Sequence, residues 1–313
     1  MAEYALLVSP EARSAYFADY LDVARHELAY LADCDGVNHV AVGGMDFLAL
    51  DVDAAALPDL RRLSFVQGVF DASGGALRPL DVQPGFAFND ELVFGAKYRG
   101  KTNERLTQLL INIGLASLDQ RSDRALKLLD PMCGRGTTLL WAMRYGLNAR
   151  GIERDGRVLS DVRRELKKWC KLNRHKHQLN EGSVGKGGRD KAPRFLEFKA
   201  AEGGMKIVAG DAREANGLLG GEKFDLLVTD LPYGVQHATQ GGARNPLEVL
   251  RDCAGPWRAC LKPGGVLVMS FNSYQPRRDA LLAAFEAAGW QAQAFSAPHR
   301  MSEAILRDVL VLR

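Results

Sequence analysis

The 313-residue chain is poor in the features that staple, anchor or metallate a protein. Its five cysteines, Cys34, Cys133, Cys170, Cys253 and Cys260, are scattered, and no two form a C-x-x-C pair. That argues against a structural zinc site and a disulfide framework. It also points to a reducing compartment, so a cytoplasmic protein without metal is expected. No apolar run approaches the roughly 20 residues of a membrane span. The opening "MAEYALLVSPEAR" has neither the basic start nor the long apolar stretch of a secretory leader, so no membrane partner is expected. The excess of one charge over the other is small too: with 41 Lys and Arg against 38 Asp and Glu, a net +3 does not imply a nucleic-acid partner by itself.

What is present is a globular composition, 47% apolar and 25% charged, long enough for one large domain or two ordinary ones. "YALLV" (4–8) reads as a strand. A helix begins at Ser9 with Pro10 in the favoured first turn, and Phe17, Leu21, Ala24, Leu28 and Leu31 share one helical face. "HVAVGGMDFLALDV" (39–52) reads as a hairpin about Gly43-Gly44. A helix near 55–63 and the strand "SFVQGVF" (64–70) complete a small α+β unit, taken as residues 1–95. From 96 to 313 the pattern changes. A helix follows Thr102 or Asn103, with Leu106, Leu109, Leu110 and Ile113 as its stripe. Apolar strands and helices then alternate through "ALKLLD", "NARGIE", "MKIVAGD", "FDLLVTD", "GGVLVMSFN" and "AILRDVLVLR". Continuous apolar strands between helices predict a mostly parallel sheet covered on both faces. Its ligand would lie at the strands' carboxyl ends.

Four of those ends are acidic: Asp130, Glu153, Asp211 and Asp230. Any one could be a helix cap or a turn residue. Four along one edge point to a ligand with amines, hydroxyls or positive charge. The first strand–helix turn, "DPMCGRGT" (130–137), lacks the G-K-[S/T] ending of a phosphate loop and does not fit G-x-G-x-x-G. Its glycines would let a ligand approach the backbone. Glu153 suits a ribose diol, and Asp211 an adenine amine. A phosphate-free adenosine carrying a cation fits, and S-adenosylmethionine is such a molecule.

These residues carry a resemblance. "DPMCGRGT" is similar to the D-P-x-C-G-x-G-T first motif of an RNA methylase family. "DLPYG" (230–234) resembles the [DNS]-P-P-[YFW] motif of amino-methyltransferases, with Leu231 at the first proline, and its D-[PL]-P-[YF]-G form in the THUMP-associated tRNA guanine-N2 methyltransferases. The closing "HRMSEAILRDVLVLR" looks like that family's last strands. The likeness covers roughly residues 96–313. It implies an α/β, Rossmann-like class I methyltransferase fold, a mostly parallel seven-stranded sheet, beside the small N-terminal α+β domain. It also implies transfer of a methyl group from S-adenosylmethionine to an exocyclic base amine, guanine N2 of tRNA.

Carried over position by position, Asp130, Gly134 and Gly136 would line the donor's methionine and ribose, with Pro131, Cys133 and Thr137 in the same turn. Glu153 would hold the ribose hydroxyls. Asp211 would read the adenine amine beside Ala212. Lys101, Thr102 and Asn103 would stand near the methionine end. Asp230, Leu231, Pro232 and Tyr233 would clamp the acceptor base: Asp230 and a backbone carbonyl accept from the amine, and Tyr233 stacks. The base must be unpaired or flipped.

Between Asp161 and Lys199 lie twelve Lys and Arg against five Asp and Glu. The insertion 172–204 within this stretch is either a solvated hairpin or loop, or an arm that contacts phosphates. "VQHATQGGAR" (235–244) could close over the base. Cys133, Trp169 and Trp257 are expected to pack, His175 and His177 to be solvated or to face phosphate, and Arg300 and Arg307 could face RNA. The competing readings are a DNA adenine-N6 or cytosine-N4 methyltransferase, an RNA-binding protein that kept the fold without the activity, and a nicotinamide-dependent dehydrogenase.

Overall fold

The computed structural model describes residues 2–32, 36–95, 101–119, 125–184, 192–232 and 246–313. The first elements are β1 (Ala2–Val8), α1 (Pro10–Tyr16), α2 (Tyr20–Leu31), β2 (Asn38–Val42), β3 (Met45–Val52), α3 (Leu57–Leu60), β4 (Val66–Asp71) and β5 (Arg78–Leu80). Their strands form an antiparallel sheet in the order β2-β3-β1-β4-β5. Ser9 caps α1, its Oγ accepting from the Ala12 amide at 3.1 Å. The single helix expected from Ser9 is two helices. Phe17 adopts φ 49° with ψ −130°, a positive-φ conformation costly for a bulky residue. The helical phase resets there, Phe17 is left 52% exposed, and Val23, Ala24, Glu27 and Leu28 form the buried line. The helix expected over 55–63 is only the short α3, preceded by a 3-10 turn at Ala54–Ala56.

Next come α4 (Glu91–Phe94) and α5 (Glu104–Ala116). The chain then runs through β6 (Lys127–Asp130), α6 (Thr137–Arg144), β7 (Asn148–Glu153), α7 (Val158–Leu172), β8 (Gln178–Ser183), β9 (Arg194–Ala200) and β10 (Gly203–Ala209). It ends with α8 (Ala215–Leu218), β11 (Phe224–Asp230), α9 (Pro246–Arg258), β12 (Leu261–Asn272), α10 (Arg278–Glu286), β13 (His299–Ser302) and β14 (Ile305–Leu312). These strands make one sheet, β13-β14-β12-β11-β6-β7-β10-β9-β8. Its centre, β12-β11-β6-β7-β10, is parallel, and β14 and β13 close one side antiparallel. That is the seven-stranded Rossmann-like methyltransferase arrangement the sequence implied. Two further strands, β8 and β9, come from the basic insertion. They form a hairpin that extends the sheet past β10, pairing Phe195 with Val208 and Glu181 with Leu196.

The sheet reads as its strands did. Phe224, Leu226, Leu227 and Val228 of β11 and Val266 to Met269 of β12 are fully buried, as a two-sided parallel sheet requires. Gly114 lets α5 lie close on it: a Cβ there would sit 3.2 Å from Leu226 and 3.4 Å from Val268. The other side of α5 meets the first sheet's helices through a buried polar knot. Glu27 accepts from the Ser64 amide, from Ser64 Oγ at 2.6 Å and from Asn112 Nδ2 at 2.7 Å. Tyr145 donates to Asn112 Oδ1 at 2.5 Å. Burial pushes the Glu27 carboxyl above its ordinary range, with these hydrogen bonds acting in the opposite sense.

Candidate active site

The strand order places the four acids. Asp211 just after β10, Glu153 on β7, Asp130 on β6 and Asp230 on β11 follow adjacent strands in that order. Parallel register keeps the ends level: Asp130 lies beside Gly151, and Glu153 beside Ala209. Three strand spacings of about 4.8 Å make this edge roughly 14 Å long. From β6 the chain builds toward β7 and β10; from β11 it builds the other way, toward β12. The strand order therefore reverses between β6 and β11, and the crevice at such a switch point is where open α/β sheets bind ligands. Asp130 and Asp230 flank it.

The turn after β6 is shaped by its glycines. Gly134 and Gly136 have φ 49° and 83°, and Gly136 caps α6 in the left-handed conformation. Nothing lies within 4 Å of where a Cβ on Gly134 would be, so that backbone faces open space. The turn is pinned below by the Cys133 amide donating to Ile152 O at 3.0 Å and by Gly136 N donating to Cys133 O at 2.7 Å. Pro131, Gly136 and Thr137 are buried with it. Cys133 packs as expected. A Cβ on Gly151 would lie 2.7 Å from its sulfur, and burial pushes its thiol far above the ordinary range, which disfavours the reactive thiolate.

Each acid has its own environment. Asp130 is 2% exposed and accepts from the Met132 amide at 3.0 Å. Burial lifts its carboxyl to about 7, and the nearby negative charge of Asp230 acts in the same sense. Glu153 braces the glycine turn: Oε2 accepts from Gly134 N at 3.0 Å and Oε1 from Asp155 N at 2.9 Å. Asp211 is gripped by Arg213, which donates to Oδ1 from its amide and Nε at 2.9 Å each, and to Oδ2 from Nη2 at 2.7 Å. Those hydrogen bonds hold its carboxyl down at about 2. Arg213 was not among the expected site residues, although Asp-x-Arg after a strand is a spacing at which the two can meet. Ala212 is buried, and its carbonyl accepts from Trp257 Nε1 at 3.1 Å.

Asp230 is held from β12 and β14. Ser270 Oγ donates to Oδ1, Leu231 N donates to Ser270 O at 3.0 Å, and Arg307 Nη2 stands 3.8 Å from Oδ2. Arg307, expected as a candidate to face RNA, is 6% exposed. Leu231 is buried and Pro232 exposed. Tyr233, Gly234 and the segment 235–244 lie outside the described residues. At the α5 end, Asn103 is the helix cap, its Oδ1 accepting from Arg105 N at 2.9 Å and Leu106 N at 3.1 Å. Thr102 precedes it. Lys101 donates to Val93 O at 2.6 Å and pairs with Glu104 at 2.6 Å. "GAKYRGKT" (95–102) has the letter spacing of a phosphate loop. Its context is a short helix before and a paired lysine within, not a strand leading to a free one.

The glycine turn and the acidic row suit a ligand that offers hydroxyls, amines and positive charge and would repel phosphates. Among the described residues no group of three or more His, Cys, Asp and Glu could hold a metal ion, and no helix is long and apolar enough to cross a membrane.

Residues 103–296 match the family model of the RMKL-like methyltransferase domain. A tRNA (guanine(10)-N2)-dimethyltransferase of Methanothermobacter thermautotrophicus is 24% identical over 177 residues, 56% of this chain and 40% of that one. The match thus spans well under half the length of that curated relative. TrmN from Thermus thermophilus superposes with TM-score 0.46 at 16% identity, covering 88% of this chain and 59% of that one. The rRNA methyltransferase aviRa from Streptomyces viridochromogenes gives 0.43 at 18% identity, over 72% and 91%.

Proposed function

The chain belongs to the family of RMKL-like methyltransferase domains, and from that premise we propose that it methylates an exocyclic base amine of RNA, namely guanine N2 in tRNA. The observation that carries this is the row Asp211, Glu153, Asp130, Asp230 across the switch point of the sheet, with "DLPY" at the end of β11. The activity of the Methanothermobacter relative, a tRNA (guanine(10)-N2)-dimethyltransferase, supports the choice of guanine N2.

The methyl donor is S-adenosylmethionine, which when bound supplies an electrophilic methyl group on a sulfonium sulfur. Asp130 and the turn through Pro131, Cys133, Gly134, Gly136 and Thr137 face its cationic end, with Thr102 and Asn103 at the neighbouring helix start. Glu153 takes the ribose hydroxyls. Asp211 and Ala212 take the adenine, with Arg213 fixing the carboxylate in place.

On the acceptor side, the lone pair of a base amine is delocalised into the ring and must be drawn out and aligned. Asp230 accepts one N–H of that amine, and the carbonyl of Leu231 or Pro232 the other. Both stabilise positive charge growing on nitrogen, by positioning and preorganised electrostatics. Tyr233 stacks on the flipped base. Residues 1–95 act as an RNA-holding unit beside the methyltransferase domain, 96–313. The exposed Lys167, Lys168, Lys171 and Arg174 on and after α7 lie along the RNA backbone. A cytoplasmic location follows from a tRNA substrate.

The test is single-turnover methyl transfer to unmodified tRNA with nucleoside analysis of the product. N2-methylguanosine is expected. Methyladenosine would keep the clamp and reject guanine. A wild-type rate for Asp230→Asn would reduce "DLPYG" to a turn. Replacing the four cations with Gln should lower the slope of log affinity against log salt by about 0.7–0.9 for each phosphate no longer neutralised. An unchanged slope would make them a solvated face.

A further inference from the structure

Arg307 and Asp308 are neighbours in sequence and look like a self-contained pair. The pleat of β14 separates them. Asp308 is engaged by α10 and by the segment before β13: Arg278 Nη1 donates to Oδ2 at 2.5 Å, and Ser296 Oγ and the Ala297 amide donate to Oδ1 at 2.9 Å each. That leaves the Arg307 guanidinium for the opposite face, where Asp230 stands.

A guanidinium is costly to bury unless it is paired. Arg307 has 7% of its side chain exposed, and the side chain of Asp230, 3.8 Å away, has 9%. Arg307 Nη1 also donates to Met301 Sδ at 3.5 Å, a weak acceptor. The strand that carries Arg307 is fixed on both sides, in register with Asn272 of β12 and with His299 of β13. The end of α1 and the turn leading into α2 back this strand pair. The Tyr16 ring lies edge-on to His299 at 5.0 Å, and Asp19 Oδ2 accepts from Arg300 N at 2.7 Å.

We propose that Arg307 is a positioning residue for methyl transfer: with Ser270 on Oδ1 and Arg307 on Oδ2, the Asp230 carboxylate is held in one orientation toward the acceptor amine. This rests on the reading of Asp230 given above. A carboxylate oxygen can accept more than one hydrogen bond, so holding the carboxylate from Ser270 and Arg307 does not by itself bar it from accepting from the amine. The role cannot be direct stabilisation of the transition state, because a cation beside a nitrogen that becomes positive would oppose the reaction. Arg307 therefore acts through Asp230, and its removal matters only while the carboxylate is there to be aimed.

A double-mutant cycle on the full-length protein measures this, read as single-turnover rates on tRNA with S-adenosylmethionine affinity by calorimetry. Arg307→Gln should slow transfer on the order of 10- to 100-fold, as misplacement of a catalytic group does, with donor affinity unchanged. Arg307→Lys, which keeps the charge and most of the stem, should recover part of that loss. In the Asp230→Asn background, either Arg307 substitution should change the rate less than about threefold, since contacting residues acting as a unit are not additive. Losses that multiply in the double variants, or a wild-type rate for Arg307→Gln, would overturn the proposal and leave Asp230 where it is. If Asp230→Asn itself reacted at the wild-type rate, the reading of the clamp would fall first. Should Arg307→Gln not fold, the cycle with Arg307→Lys measures the same coupling and decides in the same way.

Discussion

Glu222 at the amino edge of the nine-stranded sheet and Asp130 at its carboxyl edge are acids treated in opposite ways. At the amino edge, acids meet bases. Glu222 takes Lys127 Nζ at 2.7 Å and Arg150 Nε at 3.0 Å. Asp225 takes Lys262 Nζ at 2.6 Å and the Lys127 amide at 2.8 Å. Arg313 meets Asp119 at 2.8 Å. At the carboxyl edge, Asp130 is buried with hydroxyl and amide donors and a second acid nearby, and its carboxyl rises to about 7. Glu222 moves the other way, its two cations holding it below the ordinary range against the effect of burial. Charges that serve the fold are neutralised within the fold. At the carboxyl edge Asp211 and Asp230 each have an arginine beside them, but Asp130 is left without a cation, under a tension that a cationic ligand would relieve, which is the usual mark of a functional site.

The largest effect expected from breaking this contrast is at Asp230. Asp230→Asn keeps shape and one acceptor oxygen but loses the charge. Single-turnover transfer should fall on the order of 10²–10³-fold, as for other preorganised electrostatic contacts, while donor affinity measured by calorimetry stays close to wild type.

Asp130→Asn should separate binding from stability. Loss of charge-assisted contacts costs about 1.5–3 kcal/mol, roughly ten- to a hundredfold in donor affinity. The ligand-free variant should nevertheless be the more stable. With a native carboxyl near 7 and an unfolded one near 3.9, the native state binds more protons between those values. Asp130 therefore costs stability progressively as pH rises from about 4 through 7, and the full cost remains above. The gain in melting temperature for Asp130→Asn should be large at pH 8 and vanish toward pH 4. A constant gain across that range would mean the effect is not titration. Wild-type donor affinity should also weaken below pH 7 as Asp130 takes up a proton.

Glu222→Gln should do the reverse at the other edge. It leaves two partly exposed cations without their acid, at a cost of about 1 kcal/mol. The melting temperature should fall by a few degrees, with methyl transfer and donor affinity unchanged. A rate effect there as large as at Asp230, or an affinity loss as large as at Asp130, would erase the distinction between the edges.

The order of strands, the acids at their ends and the glycine turn could be read from the amino acids because they are local. A strand's apolar run, the residue that closes it and the glycines that let the chain turn lie within a few positions of one another. Parallel register then places those ends side by side without further instruction, which is why Asp130, Glu153, Asp211 and Asp230 share one edge. The split at Phe17 escaped the periodicity because the 3.6-residue repeat continues in letters across a residue whose φ interrupts it. The insertion 172–204 could be read only as a hairpin, a loop or a phosphate-contacting arm, because its polar, basic residues gain their place in the sheet only when β9 pairs with β10 and β8 with β9. The tertiary structure alone decided the partners. Arg213 turns back on Asp211, Arg278 draws Asp308 to one face of β14, and Arg307 is buried against Asp230, 77 residues earlier in the chain. Such charges are indistinguishable from surface arginines in sequence, because burial and pairing are set by elements that meet only when the sheet is assembled.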